Sequence, residues 1–336
     1  MKYWMISNRD RIGNGLGAFR DKLRYWTSTG GKLDDLGNWQ EVDQPTFLRN
    51  LMAEAGNFPL ILDPEHNTEQ KHITFFVHGF NQNWSDGVAT YHAICKQLYD
   101  GPASLGMCVL FNWPSDGLVT NYYPDRIDAR MSAPDLAEVF SALYEILLQK
   151  QRDGMADPTQ SCRAKFSVIA HSMGNYLLQK AFPIVWDRHH RPLLTSLVNQ
   201  LVMAAPDIDN DVFKSGEHVD ASEGDAMANL TYRITALYSG RDSVLGLSAG
   251  LKHFGKRRLG RSGLDPKNLV ADNIWDFDVS KLFPPDSIRV HTAYFDEQVH
   301  HPTYSGPSKL FEVIRLTLQG FDRLIVRKRA TEIAFQ

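Results

Sequence analysis

Cysteine is scarce in this 336-residue chain. The three present, Cys95, Cys108 and Cys162, are an odd set without metal-ligand spacing. That argues against a disulfide framework and for reduced thiols. No apolar run approaches the roughly 20 residues that a membrane-spanning helix needs. The opening stretch, Met-Lys-Tyr-Trp-Met-Ile, turns polar after Ile6, with neither the apolar core of a signal peptide nor a cleavage site. A net charge of −3 gives no global reason to expect nucleic acid or an anionic membrane as partner. Internal repeats, low-complexity tracts and an evident linker are also lacking. These absences lead to the expectation of a cytoplasmic protein without cofactor or metal. One domain over 1–336 is the simplest division: a strand-and-loop region 1–70, a core 71–320 and a tail 321–336. Oligomeric state is not legible.

What is present fits a globular protein with a substantial core, since 43% of residues are hydrophobic and 22% charged. Tyr3 to Ser7 reads as a short strand leading to Gly13-Asn14-Gly15-Leu16-Gly17. The glycine spacing is neither a dinucleotide fingerprint nor a P-loop, so a surface loop is expected there, and more loop over 27–46. Phe47 to Ala55 suggests a helix and Phe58 to Leu62 a short strand. Ile73-Thr-Phe-Phe-Val77 and Met107 to Phe111 are continuous apolar runs of the kind buried on both faces of a parallel sheet. Ser85 to Tyr99 lies between them with helical period. Ser132-Ala-Pro-Asp135 has capping-box form ahead of the stripe Leu136, Val139, Phe140, Leu143, Ile146 and Leu147. Further strands are expected at Leu197 to Ala205, Thr231 to Tyr238 and Asn273 to Val279, and a last helix at Lys309 to Leu318. Alternating strands and helices mean a mostly parallel sheet with helices on both faces.

Phe166 to Asn175 is the most informative stretch. An apolar strand stops at Ser172 and helix-forming residues begin after Gly174. Small residues two positions either side, Ala170 and Gly174, allow the tight strand-to-helix turn that presents a nucleophilic serine. Serine needs an imidazole to take its proton and a carboxylate to orient that imidazole. Asp242, just past a strand after Ser172, fits the acid; Asp207 and Asp209 are rivals, with turn and capping duty as the plainer account. For the base, His301 is preferred for its nearness to the last helix. His291 is the alternative, and His300 is third. The backbone amides of Met173 and Phe80 suit an oxyanion hole. His78 is expected to be structural. His189-His190 reads as surface loop, not a metal pair.

These pieces carry a resemblance. The chain resembles the α/β-hydrolase superfamily and, more closely, a group of largely uncharacterised bacterial serine hydrolases. The matching stretches are Ser7-Asn8-Arg9, Val77-His-Gly-Phe-Asn81, Phe111-Asn-Trp-Pro-Ser-Asp-Gly117 with Tyr122 or Tyr123, Asp128 and Ser132, Ala170-His-Ser-Met-Gly-Asn175, Ala204-Ala-Pro-Asp-Ile-Asp209 with Val212-Phe213, Tyr238 to Leu245, and Arg258-Leu-Gly260 before Gly263. The resemblance implies an α/β-hydrolase fold with little or no separate cap. It also implies Ser172 as nucleophile, Asp242 as acid, and Phe80 and Met173 as oxyanion donors. The family's histidine stands shortly before a tyrosine, and both His291-Thr-Ala-Tyr and His301-Pro-Thr-Tyr answer to that. It carries no substrate. The expected partner is a small-molecule ester or lipid; an amide, a thioester or acyl transfer would use the same parts, and a binding module with a vestigial triad is the reading from another class. Two features stay unassigned: the basic run Lys252, His253, Lys256, Arg257, Arg258 and Arg261, and the aromatics Trp84, Trp113, Phe80 and Tyr123 as a candidate acyl pocket.

Overall fold

The computed structural model describes residues 1–116, 121–193, 196–215, 221–267, 269–285, 289–301 and 304–334. Its first strand, β1 (Tyr3–Ile12), turns at Gly13, whose φ of 57° suits glycine, and returns as the antiparallel β2 (Gly15–Ser28). The stretch 13–17 is therefore the tip of a hairpin. The short edge strand β3 (Gln40–Val42) pairs with β2, and α1 (Gln44–Ala55) follows, capped by Asp43. Much of 27–46 is thus strand or helix, and Phe58 to Leu62 forms no strand.

The remaining chain alternates as the apolar runs require: β4 (Lys71–Val77), α2 (Trp84–Ile94), β5 (Gly106–Asn112), α3 (Tyr122–Ala156), β6 (Ala164–His171), α4 (Gly174–Arg188), β7 (Val198–Ala204), α5 (Ala221–Leu230) and β8 (Thr231–Tyr238). Two short helices come next, α6 (Ser243–Leu247) and α7 (Leu259–Ser262), then β9 (Ile274–Asp278). A small hairpin, β10 (Val299–His301) with β11 (Tyr304–Gly306), precedes α8 (Leu310–Leu318) and α9 (Arg323–Ala334). Residues 323–334, taken from sequence as tail, are helical, with Val326 and Ile333 buried.

The described residues form a sheet of order β3-β2-β1-β5-β4-β6-β7-β8-β9, parallel from β1 to β9. One face packs against α1, α3, α4 and α5, the other against α2, α8 and α9. Strands buried on both sides explain why β4, β5 and β6 read as unbroken apolar runs.

The helix expected to start at Ser132 starts instead at Tyr122 and carries Pro134 inside it. Ser132 caps nothing. Its hydroxyl and the Asp135 carboxylate accept hydrogen bonds from the Asn8 amide at 2.9 and 2.7 Å, so tertiary contacts claim the residues that the local pattern assigned to a helix end.

Candidate active site

The carboxyl ends of β4, β6 and β8 meet at one edge of the sheet, where ligands of parallel α/β sheets bind. Ser172 follows β6 directly, with φ at +50°, a left-handed conformation unusual for a residue with a side chain. The turn is held from three sides. The Ser172 amide donates to the Ala204 carbonyl at 2.9 Å, and the Ser172 carbonyl accepts from the amides of Asn175 and Asp207, each at 3.1 Å. Gly174 is required by crowding: a Cβ there would lie 2.5 Å from the His78 carbonyl oxygen and 2.6 Å from that of Val77.

His291 reaches this serine from the segment after β9. Its Nε2 lies 2.8 Å from Ser172 Oγ and its Nδ1 2.7 Å from Asp242 Oδ2. With Nδ1–H donating to the carboxylate, Nε2 is free to accept the hydroxyl proton. Asp242 is fully buried, and its other oxygen accepts the Leu245 amide at 2.9 Å, capping α6. The Arg261 guanidinium donates to the Asp242 carbonyl. Among the histidines, the geometry brings His291, the alternative base, to Ser172 and Asp242. His301 pairs with Tyr304 in the β10–β11 hairpin. The His300 and His301 side chains, Pro302, Thr303 and Gly117 lie outside what is described.

Asp207 does not face the imidazole. Buried, it binds Arg258 Nε at 2.8 Å and the Tyr122 hydroxyl at 2.7 Å. Despite the cost of burial, Arg258 and Arg126 hold its carboxyl down at about 2. Asp209 is bonded to Arg258 and, at 2.9 Å, to Lys256.

The loop after β4 lies against the serine. A Cβ on Gly79 would stand 2.9 Å from Ser172 Cβ and 2.8 Å from His171 Nδ1, so only glycine fits. Phe80 follows, and Asn81, at φ 59°, turns the chain away. His78 stacks on Trp113 with ring centroids 5.1 Å apart, and its Nε2 is 3.1 Å from the Trp113 carbonyl. Burial pushes its pKa down to about 3, so it is a neutral strut. Trp84 and Trp113 are buried in packing; of the four aromatics noted in the sequence, Tyr123 is exposed and Phe80 partly so. His189 packs on the Tyr144 ring and lies 3.3 Å from Glu145.

Two features were missed in the sequence. His171, beside the serine, donates from Nε2 to the His291 carbonyl at 2.9 Å, and burial lowers its pKa to about 3. A neutral imidazole thereby fixes the backbone that carries the other one. Arg9 is the second. Buried, it bonds to Asn112 Oδ1 at 2.5 Å and to the carbonyls of Gly17, Ser115 and Gln82 at 2.8 to 3.0 Å. Only its place after a strand marked it. An arginine facing carbonyls from one strand and two loops has no local sequence pattern.

A family model agrees with this architecture. The family model described as "Alpha/beta hydrolase of unknown function (DUF900)" matches residues 62–311. An uncharacterized protein of Nostoc sp., alr1448, is 27% identical over 210 residues, which cover 52% of this chain and 49% of that protein. The chain thus spans about half the length of this curated relative. Among solved structures, Aspergillus fumigatus lipase B aligns at 13% identity with a TM-score of 0.33, over 83% of this chain and 65% of that one. With most of its length matched by the family model, the chain belongs to the alpha/beta hydrolase family of unknown function DUF900.

Proposed function

We propose that the protein is a serine hydrolase that cleaves a carboxylic ester, or a lipid acyl group, through an acyl-enzyme on Ser172. The observation that carries this reading is the continuous Ser172–His291–Asp242 hydrogen-bond chain, at 2.8 and 2.7 Å. As an ester enters, His291 Nε2 takes the Ser172 proton while Oγ attacks the carbonyl carbon. Asp242 keeps the imidazole in the correct tautomer and stabilises the imidazolium. Negative charge on the carbonyl oxygen falls to the amides of Met173 and Phe80, each such donor being worth about 10²–10³ in kcat. The alcohol leaves with the proton from His291, and water then attacks the acyl group by the same route in reverse. The expected partner is a small molecule, and we read 1–336 as one cytoplasmic catalytic domain without metal or cofactor.

A fluorophosphonate probe tests the nucleophile. The expected result is one phosphonyl adduct, mapped to Ser172 by mass spectrometry and lost in Ser172→Ala. An unlabelled wild-type protein that also fails to turn over any ester of a graded nitrophenyl series would contradict the proposal.

A further inference from the structure

The basic run 252–261 divides once its side chains are located. Arg258 and Arg261 are consumed by Asp207, Asp209 and the Asp242 carbonyl. Lys252 turns the other way. It ends the single turn Ser248–Lys252 after α6, its carbonyl accepts the Tyr123 hydroxyl at 3.1 Å, and its ammonium sits 4.0 Å from the Tyr122 ring centroid and 5.9 Å from that of Phe80. The rings of Phe80 and Tyr122 meet edge to face at 5.5 Å. Lys252 therefore lies over the residue assigned as oxyanion donor.

Arg126 flanks the same tyrosine. Its guanidinium lies 3.5 Å over the ring of Tyr176, one helical turn beyond Ser172, and 3.5 Å from the Tyr122 hydroxyl. Among the described residues, Arg258, Lys256 and Arg126 already share the two carboxylates Asp207 and Asp209. Arg258 bonds to both, Lys256 to Asp209, and Arg126 stands 4.0 Å from Asp207. Among the described residues no carboxylate pairs with Lys252. An ammonium held over aromatic faces beside the serine, with Asp207 acting on it only from beyond ion-pair distance and no closer carboxylate among the described residues, is arranged for an anion brought by a ligand.

We propose that Lys252, supported by Arg126, binds an anionic group of the substrate, so that the preferred ester carries a carboxylate or phosphate close to the scissile bond. This rests on the serine-hydrolase reading and names its substrate class. The cations gathered among the described residues of this rim, in a chain whose net charge is −3, would draw such substrates in and leave neutral ones to diffusion.

The test compares kcat/KM for a nitrophenyl ester with a terminal carboxylate on its acyl chain against a neutral ester of equal length. The expected wild-type preference for the anionic ester is about tenfold, a usual worth for one charge-assisted contact. Lys252→Gln removes the preference, Lys252→Arg retains it, and added salt weakens it in wild type. A second arm needs no turnover: calorimetric titration of Ser172→Ala with the intact anionic ester, with and without Lys252→Gln. Binding that depends on Lys252 supports the inference even where the serine reading fails. Hydrolysis of both esters at one ratio in wild type and Lys252→Gln overturns the inference and leaves the serine reading standing. Loss of binding to phosphatidylglycerol vesicles in Lys252→Gln, without any preference among soluble esters, overturns it in favour of a membrane contact.

Discussion

Ser172 is held in a conformation that its side chain disfavours. A left-handed backbone costs a residue with a Cβ about 1–2 kcal/mol, and glycine escapes that cost. Ser172→Gly is therefore expected to raise the free energy of unfolding by about 1 kcal/mol while abolishing ester turnover, as chemical denaturation and an esterase assay would read. A variant no more stable than wild type would mean that the turn is unstrained. The serine itself was legible because strand, small residue, serine and glycine form a local pattern. Asp242, which meets His291, was legible from its place at a strand end. The histidine that meets Ser172 was not: two histidines stand before tyrosines in one region, and no local pattern tells which is carried to the serine. His171 was hidden for a related reason, since its partner is a backbone carbonyl 120 positions away.

At the scale of elements, the loops around the serine are tied to one another more than to solvent. Arg9 bonds to the loop after β4 through Gln82, to the segment after β5 through Ser115, and to β2 through Gly17. Arg9→Met leaves those buried carbonyls without a donor. The expected destabilisation is about 3 kcal/mol in urea unfolding, with a lower kcat because the Phe80 turn is freed; unchanged unfolding would refute the hub. Asp125 anchors the same loops by accepting from the Ser115 hydroxyl and from the amides of Asp116 and Asn81. Burial, the dominant cause, pushes its pKa up from 3.8 to about 6. The folded state thus favours the protonated form. Its contribution to stability is full below pH 4 and is lost as pH rises through about 6. The stability of wild type relative to Asp125→Asn should fall over that interval when unfolding is followed by tryptophan fluorescence, and a rise would reverse the sign. Of the elements themselves, the parallel strands were evident as apolar runs, whereas the β1–β2 hairpin was obscured by its polar outer half. The N-terminus of α3 was misplaced because Ser132 and Asp135 serve Asn8, a contact 124 positions away in sequence for the serine.

At the scale of the whole molecule, the sheet brings together groups that the chain keeps far apart. Ser172 and His291 are separated by 119 positions and His291 and Asp242 by 49. Their meeting depends on β6 and β8 ending at one edge, with β7 between them, and on the segment after β9 crossing back over that edge. The mostly parallel sheet was readable from the alternation of elements; the return path was not, because no local pattern in the sequence tells where the segment after β9 runs. That this path delivers His291 to Ser172 as its base is tested by kcat/KM on a nitrophenyl ester for His291→Ala and His301→Ala beside wild type. The expected result is a loss of about 10⁴-fold or more for His291→Ala and wild-type turnover for His301→Ala. Full activity in His291→Ala, or the collapse falling on His301→Ala instead, would contradict it.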